Sequence, residues 1–182
     1  MKKLILISFI FSISFAKDWI QISSPKPSEP AWDLTQFSDN HIEISFNLGG
    51  YYLEKLSNGK HSITLPGGVP ILEKGSPQLP IMARSIIIPD NAKMELFIQE
   101  IEYVDIDIEN IESSKGNLTR NIDPSSIPYT YGDAYKINAF YPKEIAFLRD
   151  PYIMRSVRGQ AIVFQPIRFN PVEGILRVYS HI

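Results

Sequence analysis

The sequence predicts an all-β fold, an antiparallel β-sandwich of jelly-roll type with little helix. Three observations predict it. Short stretches of alternating polar and apolar residues recur along the chain, turns rich in Gly and Pro separate them, and few windows have the apolar period of a helix. A hydrophobic content of 44% in 182 residues is typical of a globular domain with a true core.

The first sixteen residues predict a secretory signal peptide. Lys2 and Lys3 precede the apolar run 4–15, and the small residues Ser14 and Ala16 occupy the −3 and −1 positions of a cleavage site. The run is too short for a membrane-spanning helix, which needs about 20 apolar residues. We therefore expect a secreted or cell-surface protein, cleaved after Ala16 and free of the membrane once the signal is removed.

Residues 17–40 predict an irregular leader with a candidate first strand at 19–22, because three prolines fall between residues 25 and 30. The domain proper is expected at 41–182, and only 143–148 suits a helical turn. Asn58-Gly59 predicts a hairpin turn, and Pro166 predicts a bulge or an edge position. The further predicted strands are 41–48, 51–56, 61–65, 85–88, 94–103, 104–111, 160–169 and 174–179.

Composition excludes several classes of function. The chain has no cysteine, which excludes a disulfide framework, a thiolate nucleophile and a cysteine-rich zinc site. A formal charge of −2 provides no electrostatic basis for binding nucleic acid. The sequence has no nucleophile elbow, phosphate loop or dinucleotide fingerprint, and its three histidines lack metal-ligand spacing. We expect no cofactor, no metal and no nucleic-acid partner.

Asp105, Asp107 and Glu109 alternate with apolar residues, so their carboxylates share one face of a predicted strand. This pattern is typical of a solvated outer face. A calcium site and an acid–base pair are the alternatives, but the glycine of the usual calcium loop is missing and no two of the carboxylates stand out as a pair.

The segment 112–128 has no apolar periodicity, and loops longer than about 12 to 15 residues in a compact domain tend to be functional. Within it Arg120 stands between the uncharged Thr119 and Asn121. A guanidinium on such a loop suits an acidic pocket, because its planar fork binds a carboxylate through two hydrogen bonds. The alternative is a solvated loop arginine.

From residue 73 onward the chain carries a series of short motifs in order. They are EKGSPQLPI at 73–81, RS at 84–85, SKG at 114–116, TR at 119–120, IPY at 127–129, YG at 131–132, PKEIA at 142–146, DPY at 150–152, MR at 154–155, VRGQ at 157–160, FNP at 169–171 and LRVY at 176–179. Together they resemble the N-terminal propeptide of gingipain-type, arginine-specific cysteine peptidases.

The resemblance implies a secreted bacterial prodomain at 41–182 that is not itself an enzyme. It implies that the prodomain keeps a cysteine peptidase latent by occupying its active-site cleft, and that it also assists folding. Arg120 matches the loop arginine that fills the pocket for the substrate's P1 side chain. The residues expected to flank it in the inhibitory loop are Thr119, Asn121, Ile122 and Pro124. The implied partner is an arginine-specific cysteine peptidase domain, in cis or in trans.

Two other interpretations stay open. A secreted β-sandwich could bind glycans through an aromatic platform built from Tyr129, Tyr131, Tyr135, Phe140, Tyr141 and Tyr152. An autonomous enzyme is the third hypothesis, although no residue set supports it. The chain stops directly after a predicted strand, which fits either a truncated cysteine endopeptidase precursor or a stand-alone inhibitor.

Overall fold

The computed structural model describes residues 17–38 and 41–182. The predicted signal peptide and its cleavage site at Ala16 lie outside the described residues. The strands are β1 (Asp18–Gln21), β2 (Ala31–Ser38), β3 (His41–Asn47), β4 (Gly50–Lys55), β5 (His61–Thr64), β6 (Val69–Pro70), β7 (Pro80–Ile87), β8 (Glu102–Asp107), β9 (Ala146–Leu148), β10 (Tyr152–Met154), β11 (Val157–Phe164), β12 (Ile167–Asn170) and β13 (Ile175–His181). Two 3-10 turns lie at Pro124–Ser126 and Asp133–Tyr135.

The strands form three sheets, and their pairing is antiparallel, which confirms the predicted fold class. One sheet has the order β1-β4-β5, and a second has the order β10-β11-β7-β6, with β9 also on β11. The third has the order β12-β13-β3-β2, with β8 also on β13. The Asn58-Gly59 turn is confirmed as well: Gly59 has a φ of +82° and joins β4 to β5.

The core forms because alternating strands turn their apolar side chains toward one another. In β3 the polar His41 and Glu43 are exposed, whereas Phe46 is completely buried, as is Leu48 just after the strand. The ring of Phe46 stacks on Phe164 of the second sheet, with centroids 5.6 Å apart. Trp32 of β2 meets both rings edge-on, at 5.0 Å and 4.9 Å.

The prediction that residues 17–40 form an irregular leader was wrong for the described residues 17–38. Its candidate first strand is present as β1, but a second strand, β2, pairs along β3 from Ala31 to Ser38. The prolines upstream end at Pro30, so they leave β2 free to form ladder hydrogen bonds. The Trp32 side chain of this segment packs against the core residues Phe46 and Phe164.

Three other local predictions were also wrong. The predicted strand 94–103 is wrong over most of its length, because residues 92–101 form no strand and β8 begins to pair with β13 only at Glu102. The expected strand 160–169 is divided between β11 and β12 at Gln165-Pro166, since proline has no N–H for a ladder. The expected helical turn at 143–148 is instead β9, which pairs with β11. A single helical turn is costly to nucleate, and strand pairing satisfies more backbone groups.

Candidate functional site

The loop that carries Arg120 begins and ends on a buried stem. Ser113 forms a bridge with Pro77, and Ser114 donates its N–H to the Ser76 carbonyl at 2.8 Å. The returning chain bonds to the same segment, because the Gly132 N–H donates to the Gly75 carbonyl at 2.8 Å. Both ends of the loop are therefore held by residues 75–77.

Glu112 lies at the start of this stem and is only 4% exposed. Its carboxylate accepts hydrogen bonds from the Ser113 N–H at 2.8 Å and the Tyr131 hydroxyl at 2.6 Å, and also from the Asn58 amide. Burial, together with the bond to Glu112, raises the pKa of Tyr131 to about 12. The Lys60 ammonium lies 3.5 Å from the centre of the Tyr131 ring. Sequence reasoning missed this network, since its members are far apart in the chain.

Contacts across the loop brace its interior. The Lys115 ammonium donates to the Pro124 carbonyl at 2.7 Å and lies 4.2 Å from the centre of the Tyr129 ring. Asp123 begins the 3-10 turn and accepts from the Ser125 N–H at 2.9 Å. Hydrogen bonds from Ser125 hold the pKa of Asp123 below its usual range. The loop is thus ordered on both sides of its tip.

Arg120 lies at the tip, within a turn that the Ile122 N–H closes by donating to the Thr119 carbonyl at 3.0 Å. The Thr119 hydroxyl donates to the side chain of Asn121 at 2.6 Å. The Arg120 side chain has no hydrogen bond or ion pair with any other residue in 17–38 and 41–182, and it is exposed. The structure brings the five predicted loop residues together on one exposed segment, namely Thr119, Arg120, Asn121, Ile122 and Pro124.

The predicted aromatic platform is not favoured by the arrangement of its members. Tyr135 is half-buried, and its hydroxyl donates to the Ile111 carbonyl at 2.9 Å. Tyr141 is also half-buried and bonds to Glu73. Tyr152 lies in β10 of the second sheet. These rings serve packing and the loop stem more than one common surface.

The acidic residues of β8 and its end lie on an exposed face, as expected for a solvated strand. Asp105 accepts two hydrogen bonds from Arg177, at 2.8 Å and 2.7 Å, and these hold the pKa of its carboxyl below its usual range. Among the described residues, no group of three or more His, Cys, Asp and Glu side chains is arranged to hold a metal ion. In the same part of the chain no helix is long and apolar enough to span a membrane.

This site presents a guanidinium rather than a reacting group. A fork with free N–H donors at the tip of a braced loop can bind a carboxylate inside a partner's pocket through two hydrogen bonds. The polar and proline-containing flanks add bulk around the arginine. The geometry therefore suits occupation of a cleft in another protein.

Comparison with known proteins points to one family. Residues 41–182 match the family model Propeptide_C25. The chain is 44% identical over 143 residues to gingipain R1 of Porphyromonas gingivalis, covering 77% of this chain and 14% of that protein. It is 41% identical over 156 residues to gingipain R2 of the same organism, covering 84% of this chain and 21% of that protein. The chain thus spans about a seventh to a fifth of these relatives.

Two solved structures resemble the fold. A chain in the complex of Porphyromonas gingivalis RgpB pro- and mature domains superposes with a TM-score of 0.75 at 34% identity, covering 85% of this chain and 83% of that one. A chain from a structural study of the zymogenic latency of gingipain K superposes with a TM-score of 0.77 at 21% identity, covering 91% and 94% of the two chains. At the lower identity the likeness concerns the fold alone.

Proposed function

Since the chain belongs to the Propeptide_C25 family of gingipain propeptides, we propose that it keeps a gingipain-type cysteine peptidase latent by placing Arg120 in the active-site cleft. As a propeptide segment the chain is non-catalytic, and it carries no cysteine. The peptidase cysteine belongs to the partner, in cis or in trans. The same domain assists folding of that partner by offering it a preformed surface.

The observation that carries the proposal is the exposed, unpaired Arg120 at the tip of a braced loop. In the bound state its guanidinium pairs with a carboxylate at the base of the P1 pocket. The loop order reduces the entropy lost on binding, which raises affinity without new contacts. Ile122 and Pro124 stand beside the arginine and keep water and substrate from the catalytic groups.

The identity of the loop residue should match the specificity of the partner's pocket. A guanidinium at the loop tip fits a pocket that accepts an arginine side chain, so Arg120 indicates a partner that prefers arginine. The higher identity to gingipains R1 and R2, 44% and 41%, than to Lys-gingipain, 24%, supports this assignment. Export by the predicted signal peptide would bring the chain to the compartment of a secreted peptidase.

The test is inhibition of mature RgpB, assayed with a small arginyl amide substrate. Truncating one member of a buried charge pair costs about 2–5 kcal/mol, so Arg120→Ala should weaken inhibition about 30-fold to several thousand-fold. Arg149→Ala is the matched control, because its side chain is exposed and lies outside the loop. Arg120→Ala that inhibits as well as the unmodified chain would refute the pseudo-substrate role.

A further inference from the structure

We propose that Glu112 is the positioning residue of the Arg120 loop. Its buried carboxylate ties the outgoing and returning ends of the loop to the turn between β4 and β5, and the loop's inhibitory action depends on this tie. The inference rests on the proposed function of Arg120. It adds a residue that never touches the partner.

The three hydrogen bonds to Glu112 come from three separate parts of the chain. The Ser113 N–H belongs to the outgoing end of the loop, and the Tyr131 hydroxyl belongs to the returning end. The Asn58 amide belongs to the hairpin turn between β4 and β5. One side chain therefore links the hairpin turn to both ends of the loop, in addition to the backbone hydrogen bonds that hold those ends to residues 75–77.

The cost of burying this carboxylate indicates that it has a role. Glu112 is 4% exposed and forms no salt bridge with the described residues. A buried charge without a counterion is unfavourable unless hydrogen bonds compensate for the lost water. An apolar side chain would fill the same space at lower cost, but it could not accept from three donors. Glu112 therefore maintains the hydrogen-bond geometry of the stem, although an apolar side chain would be buried there at a lower free-energy cost.

The orientation of Asn58 is determined by its other hydrogen bond. Its carbonyl oxygen accepts the Lys60 N–H at 3.1 Å, which leaves the amide NH₂ to face Glu112. Glu112→Gln replaces one carboxylate oxygen by an NH₂ group. In one orientation of the new amide this NH₂ faces the Asn58 NH₂, and in the other it faces the Ser113 N–H and the Tyr131 hydroxyl, so a donor meets a donor in both. Asn58→Asp in the same chain replaces the Asn58 donor by an acceptor and restores the match, with the charge transferred across the pair.

The experiment compares Glu112→Gln with the double variant Asn58→Asp/Glu112→Gln, using inhibition of mature RgpB and thermal unfolding of the purified chain. A buried bond to a charged group is strong enough that its loss should weaken inhibition about tenfold or more. The double variant should recover to within about threefold of the unmodified chain. If Glu112→Gln inhibits normally, or if the double variant fails to recover, the positioning role is overturned.

A second comparison separates positioning from loss of fold stability. If Glu112 acts through Arg120, then Glu112→Gln should cause no further loss of inhibition in a chain that already carries Arg120→Ala. If the two residues act independently, the two losses of inhibition should add. An equal loss in both backgrounds overturns the inference. If Glu112→Gln does not fold, Tyr131→Phe removes one donor and should show the same dependence on Arg120.

Hydrogen exchange distinguishes this inference from the proposed function. In Glu112→Gln the amides of Ser113 and Ser114 should exchange faster, while those of β11 should not change. Normal protection at the stem would overturn the positioning role, whatever the inhibition shows. Conversely, full inhibition by Arg120→Ala would refute the proposed function. Faster exchange at the stem of Glu112→Gln could still be observed in that case, so the two failures can be told apart.

Discussion

Lys115 offers a direct test of whether loop order contributes to inhibition. Replacing it by Met retains most of the aliphatic stem and removes the ammonium. The variant loses the 2.7 Å hydrogen bond to the Pro124 carbonyl and the contact 4.2 Å above the Tyr129 ring. Neither contact touches the Arg120 turn, so the guanidinium itself is unchanged and only its support is weakened.

The expected magnitude follows from these two contacts. An exposed hydrogen bond contributes about 0.5–1 kcal/mol in net terms, toward the lower end of the usual range. An exposed cation–π contact contributes about another 0.5–1 kcal/mol. The partner must supply this ordering energy when the loop is loose, so inhibition should weaken about 5-fold to 30-fold, since each 1.4 kcal/mol is tenfold.

The assay is the inhibition constant of the purified chain against mature RgpB. Lys143→Met is the matched control, because it removes the same charge from an exposed residue outside the loop. Lys115→Met should weaken inhibition and leave the unfolding temperature nearly unchanged, since the loop is peripheral to the core. Inhibition equal to that of the Lys143→Met control would refute the reasoning that preorganisation of the loop contributes to affinity.

Two further predictions concern stability. Trp32→Ala should lower the free energy of unfolding by about 2–4 kcal/mol in a denaturant titration, because it uncovers Phe46 and Phe164; a change below about 0.5 kcal/mol would mean that β2 adds nothing to the core. Arg177→Met should lower the free energy of unfolding by about 1–2 kcal/mol. Most of this loss comes from the contacts with the Tyr103 and Phe140 rings that flank the guanidinium, because Asp105 is 37% exposed and solvent screens the ion pair. Arg177 lowers the folded-state pKa of Asp105, so the ion pair stabilises the fold at neutral pH, and this stabilisation is lost as the pH falls below about 4. The stability difference between Arg177→Met and the unmodified chain should therefore shrink in acid. A difference that does not depend on pH would exclude a contribution from the ion pair.

Much of the fold was predictable where the local pattern and the tertiary structure agree. The alternation of residues 41–48 predicts β3, and Phe46 and Leu48 are buried as that alternation requires. Asn58-Gly59 predicts a hairpin because Gly59 readily adopts a positive φ. An unpatterned loop, an isolated charge and the surrounding family motifs predict Arg120 as the site residue, and the structure has it exposed on that loop.

The misses have a common physical cause. Five of the eight residues 94–101 are apolar, as in a predicted strand, yet no neighbouring strand pairs with them before Glu102. Trp32 belongs to β2 because Phe46 and Phe164 are available to receive its ring. Glu112 begins the unpatterned segment 112–128, and nothing local in the sequence indicates that it is buried. In each case the decisive partner is distant in the chain.

The sequence by itself determined the all-β class, the Asn58-Gly59 hairpin turn and the family, and it predicts the arginine of the loop as the site residue. These features depend on periodicity, turn chemistry and short motifs, all of which act between neighbouring residues. Tertiary structure alone decided that β2 belongs to the core and that a buried carboxylate, Glu112, joins Ser113, Tyr131 and Asn58. The reason is that burial and hydrogen-bond geometry depend on which distant segments meet, and 54 residues separate Asn58 from the carboxylate that it contacts.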